Sequence, residues 1–305
     1  MERLTLKVTP AQAGRTAESL MRRELGMARG LVSSVKFRED GILLKGRRVR
    51  ATCRVSAGDV LSVLVADRGQ NGAAPLDLPV SVLWEDASLA VLDKPAGVGV
   101  YGEGTPNIAG FLAMKWGKDI EFHPVNRLDV GTSGIMVAAR DGYTHDRLRR
   151  LLHTEEFRRE YLAVAEGVPS PGAGSIRLPI RREPAEGTRR VTDPSGLPSR
   201  TDYETLASGE GFSLVRLRLY TGRTHQIRVH MAAVGHPLAG DRLYGGAAVL
   251  DRPALHSHRL CLIHPLTGET LDITSPLPPD MAELLERYKI GTYRKDSPTD
   301  ETERL

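Results

Sequence analysis

Cysteine is nearly absent from this chain. Cys53 and Cys261 are the only two in 305 residues, lie far apart, and have no clustered partners. That excludes a disulfide framework and a thiolate zinc site, leaving two small apolar side chains. No apolar run reaches the roughly 18 residues needed to cross a bilayer, and residues 1–14 lack the apolar segment of a secretion signal. The expected location is cytoplasmic. Lysine is scarce as well: only eight of the 42 cationic side chains are lysine, leaving 34 arginines. Arginine suits bidentate phosphate contacts and stacking on bases better than lysine does, although a genome rich in arginine codons gives the same count. The net charge of +4 is too small to specify a partner by itself.

What is present is enough for a globular protein. The chain can form one large body of roughly 200–250 residues and a smaller module, and 40% hydrophobic content supplies a core. Residues 1–67 read as the small module, with amphipathic stretches at 16–25 and 31–36. An extended region follows at 41–64, turning at Gly46 and at Gly58-Asp59. Arg22, Arg23, Arg29, Lys36, Arg38, Lys45, Arg47, Arg48, Arg50 and Arg54 crowd into it, the density expected of a surface that neutralises phosphates. A solvated dimer or interdomain face is the alternative. Residues 68–78, containing Gly69, Asn71, Gly72 and Pro75, read as a flexible linker.

The body, 79–290, mixes short apolar runs with helical periodicity and predicts an α+β class. Strands are expected at 89–92, 135–139, 161–165 and 212–220, and a helix at 143–152. In the last strand Val215, Leu217 and Leu219 alternate with Arg216, Arg218 and Tyr220, which points cations to one sheet face. Residues 169–198, dense in Pro, Gly and Arg, read as a long mobile arm, either closing over a polyanion or merely exposed. The tail, 291–305, is charged, lacks an apolar face and is expected to be disordered.

Three segments carry the chemistry. In Asn126-Arg127-Leu128-Asp129-Val130-Gly131-Thr132-Ser133-Gly134 a carboxylate sits in a turn rich in glycine and hydroxyls, just before an apolar strand; such an Asp is either a positioned reactive group or a turn cap. Asp93-Lys94-Pro95-Ala96-Gly97 follows a strand and ends in residues that force a turn, so by itself it reads as a loop. Thr221-Gly222-Arg223-Thr224-His225-Gln226-Ile227-Arg228-Val229-His230-Met231 reads as a turn and then a helix capped by Thr224, with Ile227, Met231 and Val234 on one face before Gly235 ends it. Its two histidines have no Cys or carboxylate nearby to complete a metal set.

Taken together, and with Tyr161 in the strand Arg158-Arg159-Glu160-Tyr161-Leu162 between them, these segments resemble the RluA-type RNA pseudouridine synthases. The resemblance spans 80–277 in the family's order and extends through Gly240-Asp241-Arg242-Leu243-Tyr244-Gly245 and His258-Arg259-Leu260. Asn126 departs from it, standing where that family usually has His. The N-terminal module resembles a degenerate S4-type RNA-binding domain, departing from it at 35–41.

The resemblance implies a mixed, largely antiparallel sheet with a central cleft flanked by helices, plus a small S4-like α/β module. It implies an enzyme that isomerises uridine to pseudouridine in structured RNA, ribosomal RNA ahead of transfer RNA. Asp129 is the catalytic carboxylate, Tyr161 packs on the base or takes its proton, and Arg223 pairs with the Asp, with Arg228 as second candidate. Arg127, Arg228, Lys94, Arg22, Arg23, Lys45, Arg47 and Arg48 are the expected RNA contacts. The reaction breaks the bond from ribose to N1, rotates the base and rejoins it through C5, with no redox change, so no cofactor or metal is expected. The anticipated partner is RNA alone, with no membrane, no obligatory protein partner and a monomeric enzyme. The rival reading is a non-catalytic RNA-binding or ribosome-assembly protein on the same fold, for which Asn126 is the best support.

Overall fold

Alternation and turn chemistry organise the N-terminal module as expected, with one addition. In the computed structural model, which describes residues 3–65, 71–102, 105–183 and 187–291, an unforeseen first strand β1 (Arg3–Lys7) precedes the helices α1 (Ala17–Arg23) and α2 (Arg29–Val35). Thr16 starts α1 by accepting a hydrogen bond from Ser19 N at 3.2 Å, which satisfies a backbone donor the helix cannot. Strands β2 (Ile42–Leu44), β3 (Arg47–Arg48) and β4 (Val60–Leu64) complete an antiparallel sheet of order β1-β4-β2-β3. Lys45 and Gly46, with φ of 50° and 76°, form the two-residue loop from β2 to β3, a hairpin geometry that requires positive φ at both positions. Leu20, Met21, Val32, Val35, Ile42, Leu61 and Val63 fill the core, together with Tyr143 from far along the chain.

The remaining elements run β5 (Ser81–Glu85), β6 (Leu89–Lys94), α3 (Ile108–Trp116), β7 (His123–Pro124), β8 (Ser133–Ala139), α4 (Gly142–Leu151), β9 (Phe157–Glu166), β10 (Ala173–Ile176), β11 (Ile180–Arg182), β12 (Arg190–Thr192), β13 (Thr201–Ser208), β14 (Phe212–Leu219), α5 (Gln226–Ala233), β15 (Leu255–Ile263), β16 (Thr270–Thr274) and α6 (Pro279–Arg287). The chain clusters into two units. The first comprises Met1–Val130, Gly134–Phe157 and Leu260–Ile273, and the second Gly131–Ser133, Arg158–Arg259 and Thr274–Leu305.

In the first unit β6 lies between β5 and β8, antiparallel to both, with Lys94 opposite Gly134. Leu89, Val91, Ile135, Val137, Leu148 and Phe157 form its second core. Asn107 and Asp141 cap α3 and α4 by accepting from Gly110 N and Thr144 N. In the second unit the order is β10-β13-β14-β9, again antiparallel, over Leu162, Val164, Phe212, Leu214, Met281 and Leu284. The α+β class inferred from the sequence is the class observed.

Two expectations of flexibility are corrected. From Asn71 onward the supposed linker is packed down: Asn71 is buried and donates to Ala109 O at 2.8 Å, and Leu76 N donates to Gly110 O at 3.0 Å. The close approach needs Gly110, where an added Cβ would meet Leu76 Cδ1 at 2.7 Å. Residues 169–198 are not a loose arm either, for they contain β10, which pairs with β13, and the hairpin β11–β12. Residues 184–186 of that stretch, 66–70 of the module end and linker, and 292–305 of the tail lie outside the described residues. No helix among the described residues is long and apolar enough to cross a membrane.

Candidate active site

The turn around Asp129 is fixed from the residues beside it. Asn126, 5% exposed, accepts from Val137 N at 2.8 Å and donates to Ile135 O at 3.4 Å, so that its amide side chain stands in for a peptide group against β8. Arg127 then points out to solvent, Leu128 is buried and Asp129 is half-buried. The next carbonyl, of Val130, accepts from Gly97 N at 2.8 Å and from Lys94 Nζ at 3.4 Å. Further on, Ser133 Oγ lies 3.0 Å from His256 Nδ1. The carboxylate of Asp129 is therefore carried on a backbone held before and after it.

Lys94 is not placed to touch RNA. It is 0% exposed, and its ammonium donates to the carbonyls of Pro95 (3.0 Å) and Val98 (2.7 Å) as well as Val130. Burying the cation is tolerable because carbonyl oxygens replace its water; its effect is to join the Lys-Pro-Ala-Gly turn to the Asp129 turn. Lys45 is also engaged, at 2.6 Å from Asp59 Oδ1. That hydrogen bond, with one from Ser56 N, holds the Asp59 carboxyl below its ordinary pKa. Arg22, Arg23, Arg47 and Arg48 are exposed.

Beside Arg127 stands a residue that sequence reasoning missed. Tyr101 is 53% exposed and stacks at a tilt on Phe122, with ring centroids 5.1 Å apart. Burial of its phenol raises the pKa above the ordinary value, and the positive charge of Arg127 opposes that rise.

In the second unit Tyr161 is 4% exposed on β9, opposite Leu217 of β14. Arg159, two residues earlier and hence on the same face, is equally buried. Burial lowers its pKa, and the charge of Tyr161 works the other way. Alternation along β9 was the signal that could have paired them. On β14, Arg216 bonds Glu204 at 2.6 Å, while Tyr220 is flanked by the guanidinium groups of Arg200 and Arg218 at 3.9 and 4.8 Å. The arginine face exists but is partly neutralised.

The third motif departs from its expected cap. The residue preceding α5 is His225, in the left-handed region at φ 56°, not Thr224. His225 Nδ1 lies 2.9 Å from the Tyr244 hydroxyl. Gln226 secures the turn instead: its Oε1 accepts from Arg223 N and Thr221 Oγ1, and its Nε2 donates to Arg200 O. Ile227 and Met231 are buried as expected, whereas Val234 is 39% exposed. Arg223 donates from Nε and Nη2 to Pro198 O at 3.3 Å. Arg228, 8% exposed, makes a bidentate pair with Asp241 at 2.7 and 2.8 Å and packs over the Tyr244 ring. Burial lowers the His230 pKa, and its ring lies between Thr201 Oγ1 and Leu178 O. Among the described residues no three His, Cys, Asp or Glu side chains are grouped to hold a metal.

A half-buried carboxylate on a braced turn, a buried Tyr–Arg pair on a strand and a second arginine fixed on a helix can now be set beside known proteins. The profile of the RNA pseudouridylate synthases matches residues 88–233, which include all of these groups. An uncharacterized RNA pseudouridine synthase of Bacillus subtilis, YhcT, is 36% identical over 244 residues, covering 77% of this chain and 80% of its own. Ribosomal large subunit pseudouridine synthase D of Yersinia pestis is 35% identical over 265 residues, 78% and 80% of the two chains. Among solved structures, human RNA pseudouridylate synthase domain containing 4 superimposes with a TM-score of 0.59 at 26% identity, over 70% of this chain and 95% of that one. These likenesses define the class: an enzyme that isomerises uridine in RNA. The chain belongs to the RluA-type RNA pseudouridine synthase family.

Proposed function

We propose that the enzyme converts specific uridines of ribosomal RNA to pseudouridine, with Asp129 as the catalytic carboxylate. The observation that carries this reading is the turn itself: an acid left half-exposed while the side chains of Asn126 and Ser133 and the carbonyl of Val130 anchor the chain on either side of it. A group that must meet one sugar carbon gains from such positioning. Asp129 attacks the ribose carbon or stabilises positive charge on it as the bond to N1 breaks. The base rotates, C5 bonds to that carbon, C5 loses its proton and N1 gains one. Tyr161 stands as base or packing surface for this step. The role of cation passes from Arg223 to Arg228 in this reading, because a buried guanidinium fixed by Asp241 is preorganised, whereas Arg223 is turned to a backbone carbonyl.

The target base has to leave its stack, and Arg127 with the exposed ring of Tyr101 supplies a cation and an aromatic face to receive the RNA around it. Farther away, Arg22, Arg23 and Arg29 of the N-terminal module and Arg150 of α4 line a cleft of about 670 Å³, with Glu18 the single acid in the lining. This surface fits an RNA backbone held by phosphate contacts. The relatives named for the large ribosomal subunit favour ribosomal RNA over transfer RNA. Asn126 gives the non-catalytic alternative no support, since its side chain is turned inward as a structural link.

The test is carbodiimide mapping of pseudouridine across total RNA from cells lacking the gene, then restored with wild type or Asp129→Asn. One uridine should lose its signal on deletion and regain it only with wild type. An Asn variant that restores the signal would sink the assignment of Asp129.

A further inference from the structure

We infer that Arg252, oriented by Asp280 of α6, is a positioning residue that sets the backbone of the catalytic turn. Its side chain is 11% exposed, and Nε and Nη2 bind the Asp280 carboxylate at 2.6 and 2.8 Å. With the guanidinium plane fixed in this way, Nη1 points at the carbonyl of Gly131 at 3.2 Å, and also meets those of Pro253 (3.1 Å) and Leu255 (3.4 Å). Gly131 is the second residue after Asp129. The approach is close: a Cβ on Gly131 would lie 3.0 Å from Pro253 Cδ and 3.6 Å from Arg252 Cβ, so the turn accepts no side chain there without displacement.

A second tie lies two residues on. His256 is buried, and Nε2 lies 3.3 Å from the Ser275 carbonyl, which can only accept. The ring proton is therefore on Nε2, and Nδ1 receives the Ser133 hydroxyl at 3.0 Å. Gly131 and Ser133 are thus held by groups from β15 and the segment just before it, with the buried Thr132 between them. Asp280 supplies the charge that keeps Arg252 in place: burial works most strongly against its ionisation, but the hydrogen bonds and charge of Arg252, together with backbone N–H donors at 280 and 281, hold the carboxyl below its ordinary pKa. No atom of Arg252 acts on substrate in this assignment. It fixes where the carboxylate two residues earlier is presented, and so rests on the reading of Asp129 as the catalytic acid.

The experiment compares the full-length enzyme with Arg252→Met, Asp280→Asn, the double variant and Gly131→Ala, on the RNA fragment identified by mapping. Displacing a reacting group by about 1 Å can cost on the order of 100-fold in rate. Single-turnover rates per folded enzyme should fall about 10- to 100-fold in each variant, with KM and RNA affinity within about twofold of wild type. The double variant should be no slower than Arg252→Met, because both changes remove one unit. Gly131→Ala keeps the ion pair and shifts only the turn, so it decides the matter if Arg252→Met does not fold. Unchanged rates per folded enzyme in Arg252→Met and Gly131→Ala, or a loss confined to KM, would overturn the inference. If Asp129→Asn proves active in the same assay, the reading of the catalytic acid has failed instead, whatever Arg252 does.

Discussion

Arginines at the two ends of this chain are used in opposite ways. In the N-terminal module Arg22, Arg23 and Arg29 project into solvent around an open cleft. In the body Arg228 and Arg252 are largely buried, and each gives two nitrogens to one carboxylate, Asp241 or Asp280. An exposed guanidinium remains hydrated and available to a phosphate, and removing it costs the fold little. A buried one has exchanged its water for fixed partners, and altering Arg228 would leave the buried carboxylate of Asp241 uncompensated. Residue type alone therefore separates neither binding from catalysis nor either from support; burial and the second partner do.

The sharpest way to break this contrast is to change the two arginines of the third motif to lysine. Lysine cannot reproduce a bidentate fork, so Arg228→Lys should lower the single-turnover rate by about 100- to 1,000-fold, the range for losing one preorganised donor. Arg223→Lys should stay within about threefold. The reverse order of effects would return the cationic role to Arg223.

Next comes a titration of the buried polar interior. Burial holds His256 at a pKa of about 4, whereas the unfolded chain binds that proton near pH 6.5. Between these values the unfolded state carries more protons, so stability falls as pH drops from about 6.5 to 4 and no further below. The loss from this residue is on the order of 3 kcal/mol. Urea unfolding across that range checks it: His256→Gln should flatten the slope, and an equally steep slope in the variant would assign the pH dependence elsewhere.

The smallest effect belongs to the exposed arginines. Arg22→Gln, Arg23→Gln and Arg29→Gln should each weaken RNA binding several-fold with the rate at saturating RNA unchanged. Each should also reduce the slope of log affinity against log salt by about 0.7 to 0.9, one phosphate apiece. Slopes identical to wild type would remove the cleft from the binding surface.

Much of the scaffold was legible from residue pattern. The apolar runs of β6 and β8, the periodicity of α4 and the alternation of β14 placed those elements within a few residues of their observed bounds, because each buries a face whose spacing is local. Misreadings arose where long-range packing overrode composition. The Pro- and Gly-rich stretch at 169–198 forms strands because partners on β13 and within its own hairpin complete their hydrogen bonds. Lys94 has the character of a surface residue, yet three carbonyl groups enclose it. Arg252 gave no local signal, since the carbonyl it holds is 121 residues away.

The phenol of Tyr143 bears on how far the N-terminal module is a module at all. This α4 side chain is buried in the core of residues 3–65 and donates to Leu25 O at 2.7 Å, while Arg147 donates to its oxygen at 3.2 Å. Removing residues 3–65 would strip the ring from its apolar seat and take from its hydroxyl the acceptor at Leu25, leaving only the contact with Arg147. The N-terminal residues and α4 cluster in one unit, so thermal melting should disrupt α4 and the N-terminal core in one cooperative step.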